Sequence, residues 1–203
     1  STTDAYPVVK TEYIGMRLAA HAGLRVAPVS LASSLGKDVL MIERFDRVDT
    51  ATGTTRRLML SGLSLLALNE MEARYASYSN LADRVRQRFT DPQATLAELY
   101  RRLVFNVLVG NTDDHARNHS AFWDGRELFL TPAYDICPQL RTGQEASQAM
   151  DIGGVAGNAS TLANALSVCG KFQLSASDAR TMIEQLIAAV EDNWIRVGEE
   201  SGL

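Results

Sequence analysis

Apolar residues recur every three or four positions along several stretches of this chain, which is the spacing of one buried helix face. The pattern is clearest in "PQATLAELYRRLVFNVLVG", where leucines and valines line up on one side. Asp91 and Pro92 suit the start of a helix and Gly110 suits its end, because proline favours the first turn and glycine the terminus. These features predict a long helix that begins at Pro92 and stops at Gly110.

Weaker versions of the same pattern predict five further helices, at Thr11–Gly23, Leu58–Ala76, Leu81–Phe89, Ala159–Val168 and Ser177–Ile195. Small polar side chains can accept hydrogen bonds from the free N–H groups of a first helical turn. We therefore expect Thr11 and Asn80 to cap two of these helices, and Ser175 or Ser177 to cap the last. Gly23 is the expected C-terminal cap of the first helix.

Shorter apolar runs predict strands between the helices. Leu24–Ala32 holds an extended piece, and Val39–Arg44 ("VLMIER") has the composition of a buried strand. The stretch "HSAFWDGRELFLT" predicts a β-hairpin, with Asp124 and Gly125 in a type I′ turn that needs positive φ at both central residues. Few strands among many helices indicate an α+β, helix-dominated fold.

The composition is that of an ordinary globular domain. Of 203 residues, 46% are hydrophobic and 22% are charged, and the net charge is −4. No basic run indicates direct nucleic-acid binding, and no apolar run reaches the roughly 18 residues of a membrane span. The two cysteines, Cys137 and Cys169, have no metal-type spacing, so we expect a reducing, cytoplasmic setting.

Polar chemistry concentrates in "VGNTDDHARN", directly after the long predicted helix. Asp113 and Asn118 have the D-x-x-x-x-N spacing with which protein kinases position a hydroxyl and hold Mg²⁺. Such a pair arises easily by chance, and a polar helix-ending loop would also explain it. The following hairpin favours the kinase interpretation, because it folds Asp135 back toward Asn118 as a second acidic ligand.

The segments "GNTDDHARNHSAF" and "LTPAYDICP" resemble the core of the HipA-like serine/threonine kinases, the toxins of bacterial toxin–antitoxin pairs. "VLMIERFDR" resembles the hinge of that family, and "TEYIGMRLAAHAGLRVAPVSL" resembles its preceding helix and strand. The resemblance implies a protein-kinase-like α+β fold, mostly the helical C-terminal lobe with a short hinge strand and one β-hairpin. Residues 1–48 would be a remnant of the small lobe and hinge, and residues 49–203 the helical catalytic lobe.

The resemblance also implies roles for individual residues. Asp113 would be the catalytic aspartate, and Asn118 and Asp135 would be the Mg²⁺ ligands. Glu43 and Phe45 would offer backbone groups to the adenine of ATP.

Further roles in the same loop and in the first helix follow from the resemblance. His115 and Arg117 would shape the ATP site or contact phosphate. Glu12 would pair with an ATP-binding lysine, although a partner for the helix dipole is an equally simple reading. Asp114 stands where the family tolerates Gly or Ala, so we expect it to be replaceable. His119 is expected to start the hairpin.

A kinase also needs a phosphate loop and a strand lysine. Nothing before Thr11 can form that loop, and Lys10 is too close to Glu12 to be that lysine. We therefore expect a truncated small lobe, and weak ATP binding and little activity from this chain alone. The family implies ATP and Mg²⁺ as cofactors, a protein substrate such as a translation factor, and a HipB-like DNA-binding antitoxin as partner.

Two other interpretations remain open from the residues. The loop also fits the D-R-H-x-x-N pattern of phosphoinositide-type kinases and the D-x-x-x-x-N pattern of antibiotic phosphotransferases, which act on small molecules. Alternatively, the chain is a non-catalytic, kinase-like binding module that serves as a platform for an antitoxin or regulator.

Overall fold

The computed structural model describes residues 7–140, 143 and 145–203. The first helix, α1, spans Val8–His21, so Thr11 lies inside its first turn and is not the predicted cap. Pro7 precedes the helix, and its carbonyl accepts the Thr11 N–H at 3.0 Å. Gly23 follows the helix with φ +77°, and the Leu24 N–H reaches back to the Ala19 carbonyl at 3.0 Å, so the predicted glycine stop is confirmed.

Strand β1 (Val29–Ser34) pairs antiparallel with β2 (Lys37–Ile42), and this two-stranded sheet packs against α1. The predicted strand at residues 39–44 is present, but the prediction that it is buried is wrong. Only Val39 and Leu40 are partly covered, while Met41 and Ile42 are exposed. A sheet of two strands that meets one helix leaves its other side open to solvent.

Residues 58–76 do not form the predicted helix. Leu58–Ser61 is strand β5, Gly62–Leu65 is the short helix α2, and Glu70–Tyr75 is a 3₁₀ turn. Non-local pairing of β5 with a strand about 60 residues later overrides the local helix propensity. A separate hairpin, β3 (Arg47–Thr50) with β4 (Gly53–Arg56), precedes β5, and residue 48, the expected lobe boundary, lies within β3.

Two helices form the centre of the molecule. Helix α3 (Tyr78–Arg88) begins at Ser77, whose Oγ accepts the Asn80 N–H at 3.1 Å, so Asn80 is not the cap. Helix α4 (Pro92–Val109) matches its prediction at both ends: Asp91 Oδ1 accepts the Ala94 N–H at 3.1 Å, and Gly110 ends the helix with φ +73°.

The predicted β-hairpin is confirmed. Strand β6 (Ser120–Trp123) pairs with β7 (Leu128–Leu130) and with β5, giving the sheet order β5-β6-β7. The turn type was predicted wrongly, because Gly125 has φ +99° whereas Asp124 has no positive φ. Asp124 instead accepts the N–H groups of Arg126 and Glu127 on Oδ1, at 2.9 and 2.8 Å, which closes the turn.

Helices α5 (Leu162–Ser167) and α6 (Ala176–Glu200) follow, close to their predicted positions, and Ser175 caps α6. Helix α6 packs against α1, where Arg17 pairs with Glu200 at 3.1 Å. Most of the buried residues of α4 are apolar, and α4 contacts α3, α5 and α6. No helix in the described ranges is both long and apolar enough to span a membrane.

One charged residue, Arg102, is buried at the centre of this core. Its Nε pairs with Glu98 at 2.9 Å, and its guanidinium donates to the Thr131 carbonyl at 2.8 Å and to the Arg25 carbonyl at 3.3 Å. Arg102 therefore ties α4 to the segment that follows β7, which leads directly to Asp135.

Candidate active site

The loop after α4 carries the first half of the site. Helix α4 ends in a Schellman-type turn, in which the Asn111 N–H donates to the Asn106 carbonyl at 2.9 Å. A 3₁₀ turn at Ala116–Asn118 follows, closed by a 2.9 Å bond from the Asn118 N–H to the His115 carbonyl. Asp113 is exposed at the start of this loop, and Asn118 is only 7% exposed at its end.

Tyr134 brings the second half of the site to this loop. Its hydroxyl donates to the Arg117 carbonyl at 2.6 Å and lies 2.6 Å from Ser120 Oγ. Because Arg117 precedes Asn118 and Tyr134 precedes Asp135, these contacts join the segment that holds Asn118 to the segment that holds Asp135. The predicted return of the chain through the hairpin is therefore confirmed.

Asp135 has an unusual backbone for a metal-ligand candidate. Its φ is +58°, in the left-handed region that costs a non-glycine residue energy. Asn111 Nδ2 donates to its carbonyl at 3.5 Å, which links this conformation to the end of α4. Such backbone outliers are concentrated at functional sites.

Three carboxylates surround the half-buried thiol of Cys137. Burial and, in decreasing order, the negative charges of Glu12, Asp135 and Asp113 together raise the pKa of Cys137 to about 11. The pKa of Glu12 is also raised, first by burial and then by the charge of Asp135. Glu12, Asp113 and Asp135 therefore lie in one electrostatic neighbourhood.

Gly15 allows α1 to lie against the segment that contains Asp135. A Cβ atom on Gly15 would come within 2.7 Å of Pro138 Cδ and would also collide with the Ile136 carbonyl. Glu12 lies three residues earlier, on the same side of the helix. Because Glu12 is beyond the first turn of α1, which holds no acidic residue, the alternative role as a helix-dipole partner is weakened.

The donor atoms suit a hard cation bound together with phosphate. Within the described ranges, the side chains of Asp113, Asn118 and Asp135 have no hydrogen-bond or ion-pair partner. No group of three or more His, Cys, Asp or Glu residues there could hold a metal ion unaided. Mg²⁺ commonly takes one or two protein carboxylates and completes its shell with waters and substrate phosphates. The oxygen donors of Asn118 and Asp135 therefore fit Mg²⁺.

Asp114, which was expected to be replaceable, is buried in the loop. Asp114 is 1% exposed, and its Oδ1 lies 2.9 Å from Nε2 of His119. Its Oδ2 accepts a hydrogen bond from the Tyr78 hydroxyl. A buried carboxylate with two donors is part of the structure of the loop, because its removal leaves both donors unsatisfied. His119 does precede β6, as predicted.

The backbone groups that were predicted to contact adenine are only partly available to a ligand. The N–H of Glu43 already donates to the Pro28 carbonyl at 2.9 Å, so only its carbonyl remains for a ligand. The Phe45 ring packs edge-on against Phe122 at 6.0 Å and beside Tyr134 at 5.6 Å. These ring contacts connect the hinge segment to the hairpin and to the residue before Asp135.

The two remaining loop candidates differ in their surroundings. The Arg117 guanidinium forms an exposed ion pair with Glu70, on the 3₁₀ turn before α3. His115 is half-buried, and its Nδ1 atom is buried without a partner in the described part of the chain. Both residues belong to the loop that also holds Asp113 and Asn118.

Three polar residues around the loop were missed in the sequence. Tyr78, Asn106 and Asn111 are buried beneath it and connect to Asp114 through hydrogen bonds. Only Asn106 left a signal, as a polar residue within the apolar run of α4. Tyr78 lies 36 residues before Asp114, so only the folded chain shows this contact.

Two sequence relatives are kinases by name. Y4mE of Sinorhizobium fredii, which is named as a kinase, is 32% identical over 132 residues, 63% of this chain and 31% of that protein. The serine/threonine-protein kinase toxin HipA of Shewanella oneidensis is 27% identical over 146 residues, 64% of this chain and 34% of that protein. This chain therefore spans about a third of the length of either relative.

Two solved structures share the fold. HipA in the Shewanella oneidensis MR-1 complex of HipA, HipB and operator DNA matches with a TM-score of 0.84 and 21% identity, over 96% of this chain and 50% of that one. The Helicobacter pylori proinflammatory kinase CtkA matches with a TM-score of 0.61 and 14% identity, over 98% of this chain and 90% of that one. These matches confirm the predicted kinase-like α+β fold.

The profile of the HipA-like C-terminal domain matches residues 2–194, nearly the whole chain. The family resemblance seen in the loop and hinge segments is thereby confirmed. The chain belongs to the family of HipA-like C-terminal domains.

Proposed function

We propose that this chain is the catalytic lobe of an ATP- and Mg²⁺-dependent serine/threonine protein kinase. The observation that supports this most is the exposed carboxylate of Asp113, which has no partner among the described residues and shares an electrostatic neighbourhood with Asp135. The named relatives support a kinase at the level of the family. The roles assigned below to single residues are part of the proposal.

Asp113 acts as the proton acceptor. Its carboxylate accepts the proton of a serine or threonine hydroxyl while that oxygen bonds to the γ-phosphorus of ATP. The bond from the γ-phosphorus to the bridging oxygen breaks, and ADP leaves. Asp114, its neighbour, cannot take this role, because its two oxygens are buried and occupied by His119 and Tyr78.

Asn118 and Asp135 hold Mg²⁺, which neutralises charge on the β- and γ-phosphates when it is bound. His115 and Arg117, in the same loop, contact phosphate. Phe45, together with the Glu43 carbonyl, faces the adenine. Glu12 orients an ATP-binding lysine from outside this chain, and its half-buried position suits an ion pair.

The partners of the whole protein follow from its relatives. The Shewanella HipA was solved with HipB and operator DNA. By analogy, a HipB-like DNA-binding antitoxin is the proposed partner, with DNA contacted through that antitoxin. The substrate is a protein, of which a translation factor is one candidate class.

Replacement of Asp113 by Asn in the full-length protein tests this function. Loss of the proton acceptor should lower the rate of protein phosphorylation by at least about a hundredfold. Asp192→Asn, on the exposed side of α6, is the matched control and should keep wild-type activity. Transfer of ³²P from γ-labelled ATP to protein measures the outcome. An undiminished rate in the Asp113 variant, or transfer to small molecules alone, would overturn the proposal.

A further inference from the structure

A chain of buried polar side chains lies beneath the proposed site, and we call it the loop network. It consists of Asp114, His119, Tyr78, Asn106 and Asn111, all of them buried. The Asn111 amide donates to Asn106 Oδ1 at 3.1 Å, and the Asn106 amide lies 3.4 Å from the Tyr78 hydroxyl. That hydroxyl donates to Asp114, which also receives Nε2–H of His119 at 2.9 Å.

All hydrogen bonds of the loop network point the same way. Each donor faces toward Asp114, because an ionised carboxylate can only accept. Burial and the charge of Asp114 raise the pKa of Tyr78 well above its usual value, so its hydroxyl keeps its proton and remains a donor. The charge on Asp114 thus sets the direction of donation in every hydrogen bond of the loop network.

The loop network reaches the backbone beside the proposed proton acceptor and both proposed metal ligands. Asp114 follows Asp113 directly, and His119 follows Asn118 directly, so their mutual bond fixes both ends of the loop. At its other end, Asn111 donates to the carbonyl of Asp135 at 3.5 Å. None of the network side chains has been given a chemical role in the transfer itself.

We propose that the loop network positions the proton acceptor and the two metal ligands relative to one another, with Asp114 as its key positioning residue. This inference rests on the proposed function, because it concerns the same site. In metal sites, residues that orient the ligands typically contribute about 10- to 100-fold to affinity or activity.

Asp114→Asn is the sharpest variant, because it keeps the shape of the side chain and removes its charge. One face of the new amide carries N–H donors, and it must meet either the Tyr78 hydroxyl or His119 Nε2. In either pairing the partner must become the acceptor, so its own proton loses the carboxylate that accepts it in the wild type. Tyr78→Phe removes one donor without such a conflict and serves as the second variant.

The chain offers a matched control in Tyr100. This tyrosine is also fully buried, but its hydroxyl has no hydrogen-bond partner among the described residues. Tyr100→Phe therefore removes the same atom without breaking a bond. It should leave every property of the site unchanged.

The test measures Mn²⁺ binding in the presence of ATP by water-proton relaxation, with full-length protein, beside kcat and thermal unfolding. We expect Asp114→Asn and Tyr78→Phe to weaken Mn²⁺ affinity and lower kcat by about 10- to 100-fold, with an unchanged KM for the protein substrate. The double variant, Asp114→Asn with Tyr78→Phe, should lose less Mn²⁺ affinity and kcat than the two single losses multiplied together. The reason is that the Tyr78 donor no longer opposes the new amide.

The outcomes separate the positioning role from a purely structural one. Lower unfolding temperatures, with wild-type Mn²⁺ affinity and kcat while the variants are folded, would overturn the positioning role. If Asp114→Asn does not fold, the Mn²⁺ affinity and kcat of Tyr78→Phe decide whether the positioning role holds. If the wild type binds Mn²⁺ but transfers no phosphoryl group, the proposed function fails while the Mn²⁺ titration still decides the positioning. If the wild type binds no Mn²⁺, the proposed function and the positioning role are both wrong.

Discussion

The adjacent aspartates 113 and 114 show how one position along a loop changes the use of a side chain. The Asp113 carboxylate is exposed and unpartnered within the described ranges, whereas Asp114 is buried and accepts two hydrogen bonds. Composition cannot distinguish them, because both are short acids in a polar turn. The difference comes from Tyr78 and His119, which meet only one of the two.

The thiol of Cys137 gives a second residue-scale prediction. With a pKa of about 11, its thiolate fraction at pH 8 is about a hundredfold below that of an ordinary thiol. A more basic thiolate is also more nucleophilic, so we expect alkylation by iodoacetamide to be at least about tenfold slower than in the unfolded chain. The rate should still be rising with pH above 9.

Peptide mass spectrometry measures this rate at Cys137 separately from Cys169. Glu12→Gln removes a nearby negative charge, so it should lower the thiol pKa and accelerate the reaction at pH 8. Glu191→Gln, an exposed change on α6, is the control and should have no effect. A rate in the folded wild type equal to that in denaturant would contradict the prediction.

At the scale of elements, α1 can approach the Asp135 segment because Gly15 has no side chain. Gly15→Ala should force the helix and Pro138 apart and destabilise the fold by about 1–3 kcal/mol. Since the displaced segment contains Asp135, we also expect weaker Mn²⁺ binding in the full-length protein. Chemical denaturation and the relaxation titration measure the two effects.

Gly198→Ala, within α6, is the control for this change. Nothing lies within 4 Å of the Cβ that it would add, so helix propensity alone should make it neutral or stabilising, by up to about 1 kcal/mol. If Gly15→Ala behaved in the same way, the proposed contact between α1 and the Asp135 segment would be wrong.

Elements whose signals are local could be predicted from the sequence. Helix α4 carries its own cap at Asp91 and its own stop at Gly110, and the hairpin carries its own turn glycine, Gly125. The helix prediction for residues 58–76 failed because Leu58–Ser61 pairs with β6, which follows α2, α3 and α4 in the sequence. Propensity describes a segment, and it cannot include a partner that only folding supplies.

The candidate site likewise has one part that could be predicted from the sequence and one part that could not. The spacing of Asp113 and Asn118, and the return through the hairpin to Asp135, follow from chain order and turn chemistry. The loop network does not, because Tyr78 and Asn106 reach Asp114 from α3 and α4. The family resemblance supplied the register of the loop but not its buried support.

At the scale of the whole molecule, the positions of the lysines determine what the chain offers to ATP. The chain holds three lysines, and Lys10 is occupied by the Gly202 carbonyl at 3.0 Å and lies 3.9 Å from Asp38. Lys37 and Lys171 lie on exposed segments, on β2 and on the 3₁₀ turn after α5. The described residues therefore include the proposed metal ligands and the proposed hinge, but no lysine placed to bind the phosphates.

We expect this 203-residue chain, taken alone, to bind MgATP with a Kd weaker than about 100 μM and to show little activity. Isothermal titration calorimetry with the isolated chain and the full-length protein measures the difference. Low-micromolar binding by the isolated chain would contradict the expectation. A chain that folds but binds MgATP only weakly is the result we predict.

The direction of donation in the loop network has a consequence for how this sequence can change over evolutionary time. Because the donors all converge on one carboxylate, the residues at positions 114, 119 and 78 are not independent. Loss of the Asp114 carboxylate alone leaves two buried donors without an acceptor. Loss of the His119 imidazole alone removes one of the two hydrogen bonds that the carboxylate accepts. A glycine at position 114 becomes acceptable once positions 119 and 78 have both given up their donors. Substitutions at these positions should therefore be inherited as sets.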